Sequence, residues 1–119
     1  MESEVVTRCI SEKLKEKGFN WVCSHYYRIG IKDLFRIFPC EDWSDVRDRI
    51  NVPTISQALK WLREKNVDIV IRPIFVNGNR EYTTEIYAPR YNKPYYIGNV
   101  SDWEKAAIIG IKYALNNLI

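Results

Sequence analysis

The ten residues Tyr87-Ala88-Pro89-Arg90-Tyr91-Asn92-Lys93-Pro94-Tyr95-Tyr96 hold the densest chemistry in this chain. Arg90 and Lys93 alternate with four tyrosines, no acid interrupts them, and two prolines keep the backbone extended. Tyrosine rings stack on bases and cations meet phosphates, so Arg90, Tyr91, Lys93, Tyr95 and Tyr96 are candidate binding residues for a single-stranded nucleic acid. The same residues also suit packing, as an ordered loop whose tyrosines cover the end of a sheet and whose prolines break a strand. Packing weighs more, because so small a domain needs its aromatic side chains. Rigid tyrosines also offer large contact area at little entropic cost, which suits a protein partner.

Catalytic constellations are thin. The chain has no GxSxG, HExxH, P-loop or GxGxxG pattern. His25 is the only histidine, which excludes two-histidine metal sites. Cys23 lies two residues before it and on a strand would share its face, but the sequence supplies no orienting third group and no helix terminus at the thiol. Glu41, Asp42, Asp45 and Asp48 resemble a divalent-ion cluster until Arg47 and Arg49 are read beside them; the mixture describes a solvated face with local ion pairs. The chain therefore reads as non-enzymatic, with no catalytic residue, metal ligand or cofactor.

With 119 residues the chain fits one domain, 1–119, and its 46% hydrophobic and 28% charged content is that of an ordered globule. No apolar run approaches the ~20 residues that span a bilayer. Met1-Glu2-Ser3-Glu4 puts acids where a signal peptide is basic, so a cytoplasmic protein without membrane attachment is expected. Three cysteines without CxxC spacing, Cys9, Cys23 and Cys40, read as free buried thiols. The net charge of +3 arises from 18 basic and 15 acidic residues, interleaved rather than clustered, and is not by itself a nucleic-acid footprint.

Local patterns then place the elements. Val6, Cys9, Ile10 and Leu14 form the apolar stripe of a first helix that ends at Lys17-Gly18. Phe19 to Tyr27 reads as a strand that pairs with a later hairpin, Leu34 to Phe38 as a short strand, and Glu41 to Ile50 as one or two helical turns on Trp43, Val46 and Ile50. Thr54 and Gln57 have the capping-box spacing of a helix with Ile55, Ala58, Leu59 and Leu62 on one stripe and Asn66 as its stop. Asn77-Gly78 predicts a type I′ hairpin in which Ile71 faces Thr84 and Ile69 faces Ile86. That register collects Ile69, Ile71, Phe75, Tyr82 and Ile86 on one face and Asp68, Arg72, Glu81, Thr83 and Glu85 on the other. Pro73, with no amide to donate, makes its strand an edge. A short strand follows near Tyr95 to Gly98. Ser101-Asp102-Trp103-Glu104 opens a last helix whose stripe is Trp103, Ala107, Gly110, Ile111, Ala114, Leu115 and Leu118.

Three stretches carry a resemblance: Gly18-Phe19-Asn20-Trp21 with Tyr26-Tyr27; Pro53-Thr54 through Lys65, around Ala58-Leu59-Lys60-Trp61-Leu62-Arg63; and Trp103 through Ile119, with Gly110-Ile111-Lys112-Tyr113-Ala114-Leu115. Together they resemble a group of small uncharacterised proteins encoded in phages and prophage-like regions of gut Bacteroidetes. The segment Ile29 to Val52 has no counterpart there. The resemblance implies a mobile-element accessory protein and carries no functional residue across. The fold expected is α+β, with helices packed on one face of a small antiparallel sheet of about three strands. The function expected is a binding or adaptor module with a protein partner; the alternative is a single-stranded nucleic-acid binder that uses the loop 87–96.

Overall fold

Side-chain caps start the helices of this chain and left-handed residues end two of them. The computed structural model describes residues 5–30, 34–44 and 48–119, and of 37–41 the backbone alone. The chain is α+β, with two three-stranded antiparallel sheets, and its contacts divide it into two compact units, Met1–Ala58 and Leu59–Ile119.

In the first unit α1 runs Arg8–Glu16, and the Thr7 hydroxyl accepts the Ile10 amide at 3.3 Å. It closes on Gly18 at φ +90°, where the Phe19 amide reaches back to the Leu14 carbonyl at 2.9 Å. Ile10, Ser11 and Leu14 form its buried face. Cys9, expected on that stripe as a buried thiol, is exposed, because the residue before Ile10 is turned about 100° away from it on the helix. Cys23 is the buried thiol, and the Cys40 side chain lies outside the described residues.

β1 (Cys23–Arg28) lies between β2 (Leu34–Glu41) and β3 (Arg49–Val52). Its pairing differs from expectation, since it joins these neighbours rather than the later hairpin, and it begins at Cys23 rather than Phe19. Of the helical turns expected over Glu41–Ile50 the described residues show none: Glu41 ends β2, Arg49 and Ile50 begin β3, and 45–47 lie outside them. Ile50 and Val52 are buried two residues apart, so a period of two outcompetes the helical spacing of Trp43 and Ile50; Val46 lies outside the described residues. His25 pairs with Val52 and Tyr27 with Ile50 on the α1 side, leaving Tyr26, Arg28, Phe35, Arg49 and Asn51 on the opposite face.

α2 (Ile55–Glu64) has the predicted reciprocal cap: the Gln57 amide donates to Thr54 Oγ1 at 3.1 Å and the Thr54 amide to Gln57 Oε1 at 2.9 Å. Asn66 stops it at φ +65°, with the Val67 amide on the Leu62 carbonyl at 3.0 Å. Trp61, outside the predicted stripe, is buried with Ile55, Ala58 and Leu62.

The second unit is built on the hairpin β4 (Asp68–Val76) and β5 (Asn79–Tyr87), in the predicted register throughout. Asn77 and Gly78 take φ of +52° and +80°, as a type I′ turn requires. β6 (Tyr95–Val100) pairs with β5 on the other side, so β4, which contains Pro73, is an edge as expected. Between Thr83 and Thr84 the pairing skips Gly98, a bulge in the opposite edge. Proline on one edge and a bulge on the other both discourage a further strand from adding.

α3 (Trp103–Asn117) packs on one face of this sheet, touching all three strands. Its start is capped by Asp102, which accepts the Glu104 amide at 2.8 Å. Gly110 permits the approach: a Cβ there would lie 2.7 Å from Ile69 Cγ2 and 2.8 Å from Thr84 Cγ2. Thr84 Oγ1 also donates to the Ala106 carbonyl at 2.8 Å. Ala107, Gly110, Ile111, Ala114 and Leu115 are buried as predicted. Trp103, placed on the same stripe, is 37% exposed, since side chains of a first turn lean past the helix end. Phe75, near the hairpin tip, is likewise exposed, with Arg80 over its ring at 5.7 Å. Among the described residues no helix is long and apolar enough to cross a membrane.

Candidate functional site

The loop after β5 begins with a turn in which the Tyr91 amide donates to the Ala88 carbonyl at 3.0 Å, with Pro89 supplying the fixed φ that the second turn position favours. This turn aims Arg90 at the end of α3. There Nη1 donates to the Asn117 carbonyl at 2.8 Å, a cation on the negative end of the helix dipole. Tyr91 turns inward and shares a 2.7 Å hydrogen bond between its hydroxyl and that of Tyr113. Tyr95 stacks between them, its ring centre 5.7 Å from Tyr91 and 4.8 Å from Tyr113. The hydrogen bond with Tyr91, partial burial and the neighbouring tyrosines push the Tyr113 hydroxyl up to about 12.

The five predicted residues are thus not one surface. Arg90, Tyr91 and Tyr95 clamp the loop to α3; Lys93 is exposed in the loop; Tyr96, next along β6, points to the opposite face of the sheet.

That opposite face carries no helix of its own unit and has a charged centre. Glu85 has a side chain only 5% exposed. Arg72 Nε and Nη2 meet its two oxygens at 3.1 and 3.2 Å, and the Tyr87 hydroxyl donates to Oε2 at 3.1 Å. Arg72 and Glu85 are diagonal neighbours, because Val70 pairs with Glu85 and Arg72 with Thr83. Hydrogen bonding to Glu85, followed by its charge, raises the Arg72 pKa; the separate bond from the Tyr87 hydroxyl to Glu85, with desolvation, raises that of Tyr87. Both donors are thereby held protonated, which suits a fixed surface rather than proton transfer. Around this pair Tyr96 is 61%, Tyr87 39% and Val70 38% exposed. The predicted hairpin register already put Arg72 and Glu85 on one face; adding Tyr96 required the β5–β6 pairing.

A shallow cleft of about 280 Å³ adjoins Tyr87, lined also by Arg63, Asn66, Asp68, Ala88 and Pro89 and bridged by the Arg63–Asp68 pair at 3.3 Å. It is too small and open to enclose a drug-sized molecule. Cys23 and His25 have separate partners: Sγ donates to the Trp21 carbonyl at 3.4 Å, and Nδ1 shares a 2.8 Å bond with Ser24 Oγ. Among the described residues no three His, Cys, Asp or Glu side chains gather as for a metal.

No protein-family model, curated protein or solved structure matches this chain.

Proposed function

We propose that this chain is a non-enzymatic binding module, acting in the cytoplasm as an adaptor that takes an extended or helical segment of a protein partner on the open face of β4–β5–β6. The observation that carries this reading is Tyr96, 61% exposed beside Tyr87, Val70 and the Arg72–Glu85 pair. Exposed aromatics next to an arginine whose charge is already neutralised have hot-spot composition, and a neutral centre does not select for polyanions. Size sets the form of the partner. Strands of nine, nine and six residues, at ~3.3 Å per residue and ~4.8 Å apart, give a face of about 400 Å². That is about half of the ~800 Å² each partner buries in a standard interface, so a peptide-like segment fits better than a whole domain. The resemblance to phage and prophage-encoded proteins supports a mobile-element accessory role.

A random peptide library selected on the purified protein tests this. Selected peptides should lose about thirtyfold in affinity on Tyr96→Ala, the size of a hot-spot truncation, and should be indifferent to Lys93→Glu. Peptides that ignore Tyr96, or failure to select any, refute the reading. A second reading is favoured by charge. Nine basic and nine acidic residues lie in Met1–Ala58, but nine basic and six acidic in Leu59–Ile119, so the whole +3 belongs to the unit bearing Tyr96 and Lys93. Salt-sensitive binding of labelled single-stranded DNA or RNA that is lost in Lys93→Glu would replace the peptide reading with this one.

A further inference from the structure

The face of β1–β2–β3 opposite α1 carries an arginine prepared for a ligand. The Arg49 guanidinium carbon lies 4.1 Å from the Trp43 ring centre and 5.0 Å from that of Tyr26, and Phe35 stacks on Tyr26 at 5.2 Å and 16°. Trp43 is fixed from behind: its amide donates to Asn51 Oδ1 at 2.7 Å, and Asn51 Nδ2 donates to Asp42 Oδ1 at 2.7 Å. The Trp43 and Tyr26 rings lie 5.7 Å apart, so they meet the guanidinium from one side, and contact with an aromatic ring leaves the N–H fork of an arginine able to donate. Among the described residues that fork has no hydrogen bond or ion pair. The two nearby acids among the described residues have other partners. Asp48 pairs with Arg28 at 3.6 Å, and Asp42 accepts from Asn51 and from both the amide and hydroxyl of Ser44. Burial opposes ionisation of Asp42, but the Ser44 amide and Asn51 outweigh it and hold its pKa low. A second donor stands beside it: Trp43 Nε1 is buried and has no acceptor among the described residues.

From this arrangement we infer that Arg49 and Trp43 form an oxyanion site, taking a phosphate or carboxylate group end-on to the guanidinium fork. The aromatic stack pre-orders the arginine, so little side-chain entropy is lost when the anion arrives. A small tilt of the indole edge toward the anion gives Nε1 the acceptor it lacks. Arginine rather than lysine is required, because two oxygens are met by two parallel N–H groups. The site goes beyond the peptide-binding reading and shares no residue with it.

Inorganic phosphate is the first probe, added to ¹⁵N-labelled full-length protein with sodium chloride at matched ionic strength as the control. The Trp43 indole resonance, assigned with Trp43→Phe, and the Arg49 side-chain Nε resonance should shift saturably with phosphate and not with chloride. Arg49→Lys keeps the charge and removes the fork, and should weaken the response about tenfold. Parallel titrations with acetate and with adenosine monophosphate distinguish the source: tighter acetate binding indicates a peptide carboxylate, tighter nucleotide binding a phosphate whose base stacks on the adjoining rings. A wild-type protein that gives no saturable shift with any of the three overturns the site, as does an undiminished response in Arg49→Gln.

Discussion

Replacing Gly110 by alanine sets two known effects against each other. In a helix interior the change is worth about 1 kcal/mol in favour of alanine. Against it, the new methyl would sit 2.7 Å from Ile69 Cγ2 and 2.8 Å from Thr84 Cγ2, where ordinary carbon contacts lie near 3.5–4.0 Å. Neither neighbour yields easily. Ile69 is β-branched with a stiff χ1, and Thr84 is pinned by its 2.8 Å hydrogen bond to the Ala106 carbonyl. Overpacking of this kind costs about 1–3 kcal/mol, and rotating Thr84 away would lose a bond worth about 1 kcal/mol more. Gly110→Ala should therefore destabilise by about 1–2 kcal/mol, a fall in Tm of about 4–8 °C by differential scanning calorimetry. Thr84→Ser removes the clashing methyl but keeps the hydroxyl, so in the Gly110→Ala background it should cost less than it does alone, a positive coupling in a double-mutant cycle. A Gly110→Ala protein melting at or above wild type would refute the close approach of α3 to β4 and β5.

Gly78→Val should lower the urea midpoint with little change in m, because a β-branched residue resists the φ of +80° found there; an unchanged midpoint would count against the type I′ turn. Arg90→Glu should cost about 1 kcal/mol by replacing a cation with an anion at the C-terminal end of α3, whereas Lys93→Glu should leave Tm unchanged, which separates the clamp from the exposed loop position. Absorbance titration should show Tyr113 ionising late, near pH 12, with Tyr113→Phe abolishing that phase. The sign follows from linkage. A tyrosine raised in the folded state holds its proton when the unfolded chain has lost it, so its contribution is full below pH 10 and disappears as pH rises to about 12. The wild type should lose stability over that window more steeply than Tyr113→Phe.

What the sequence settled lies within a few residues of its own cause. The Thr54–Gln57 cap, the Asn66 stop, the Asn77-Gly78 turn and the complete β4–β5 register follow from side chains acting on adjacent backbone, or from alternation that a one-residue slip would scramble. Pro73 marked its strand as an edge for the same local reason, a missing amide. Tertiary structure decided which segments meet. Nothing near Tyr26 states that its partners are Phe35 and Asn51 rather than the hairpin, because unpaired strand amides and carbonyls are satisfied equally by any strand that reaches them. The same holds for function. Arg90 and Tyr96 look alike as polar or aromatic members of one loop, yet a proline turn brings Arg90 to the end of α3 while strand alternation turns Tyr96 to the open face. Arg49 reads as one member of a solvated charge run until β3 carries it over the rings of Trp43 and Tyr26, residues 6 and 23 positions away, and contacts at such separations leave no periodic trace in a sequence.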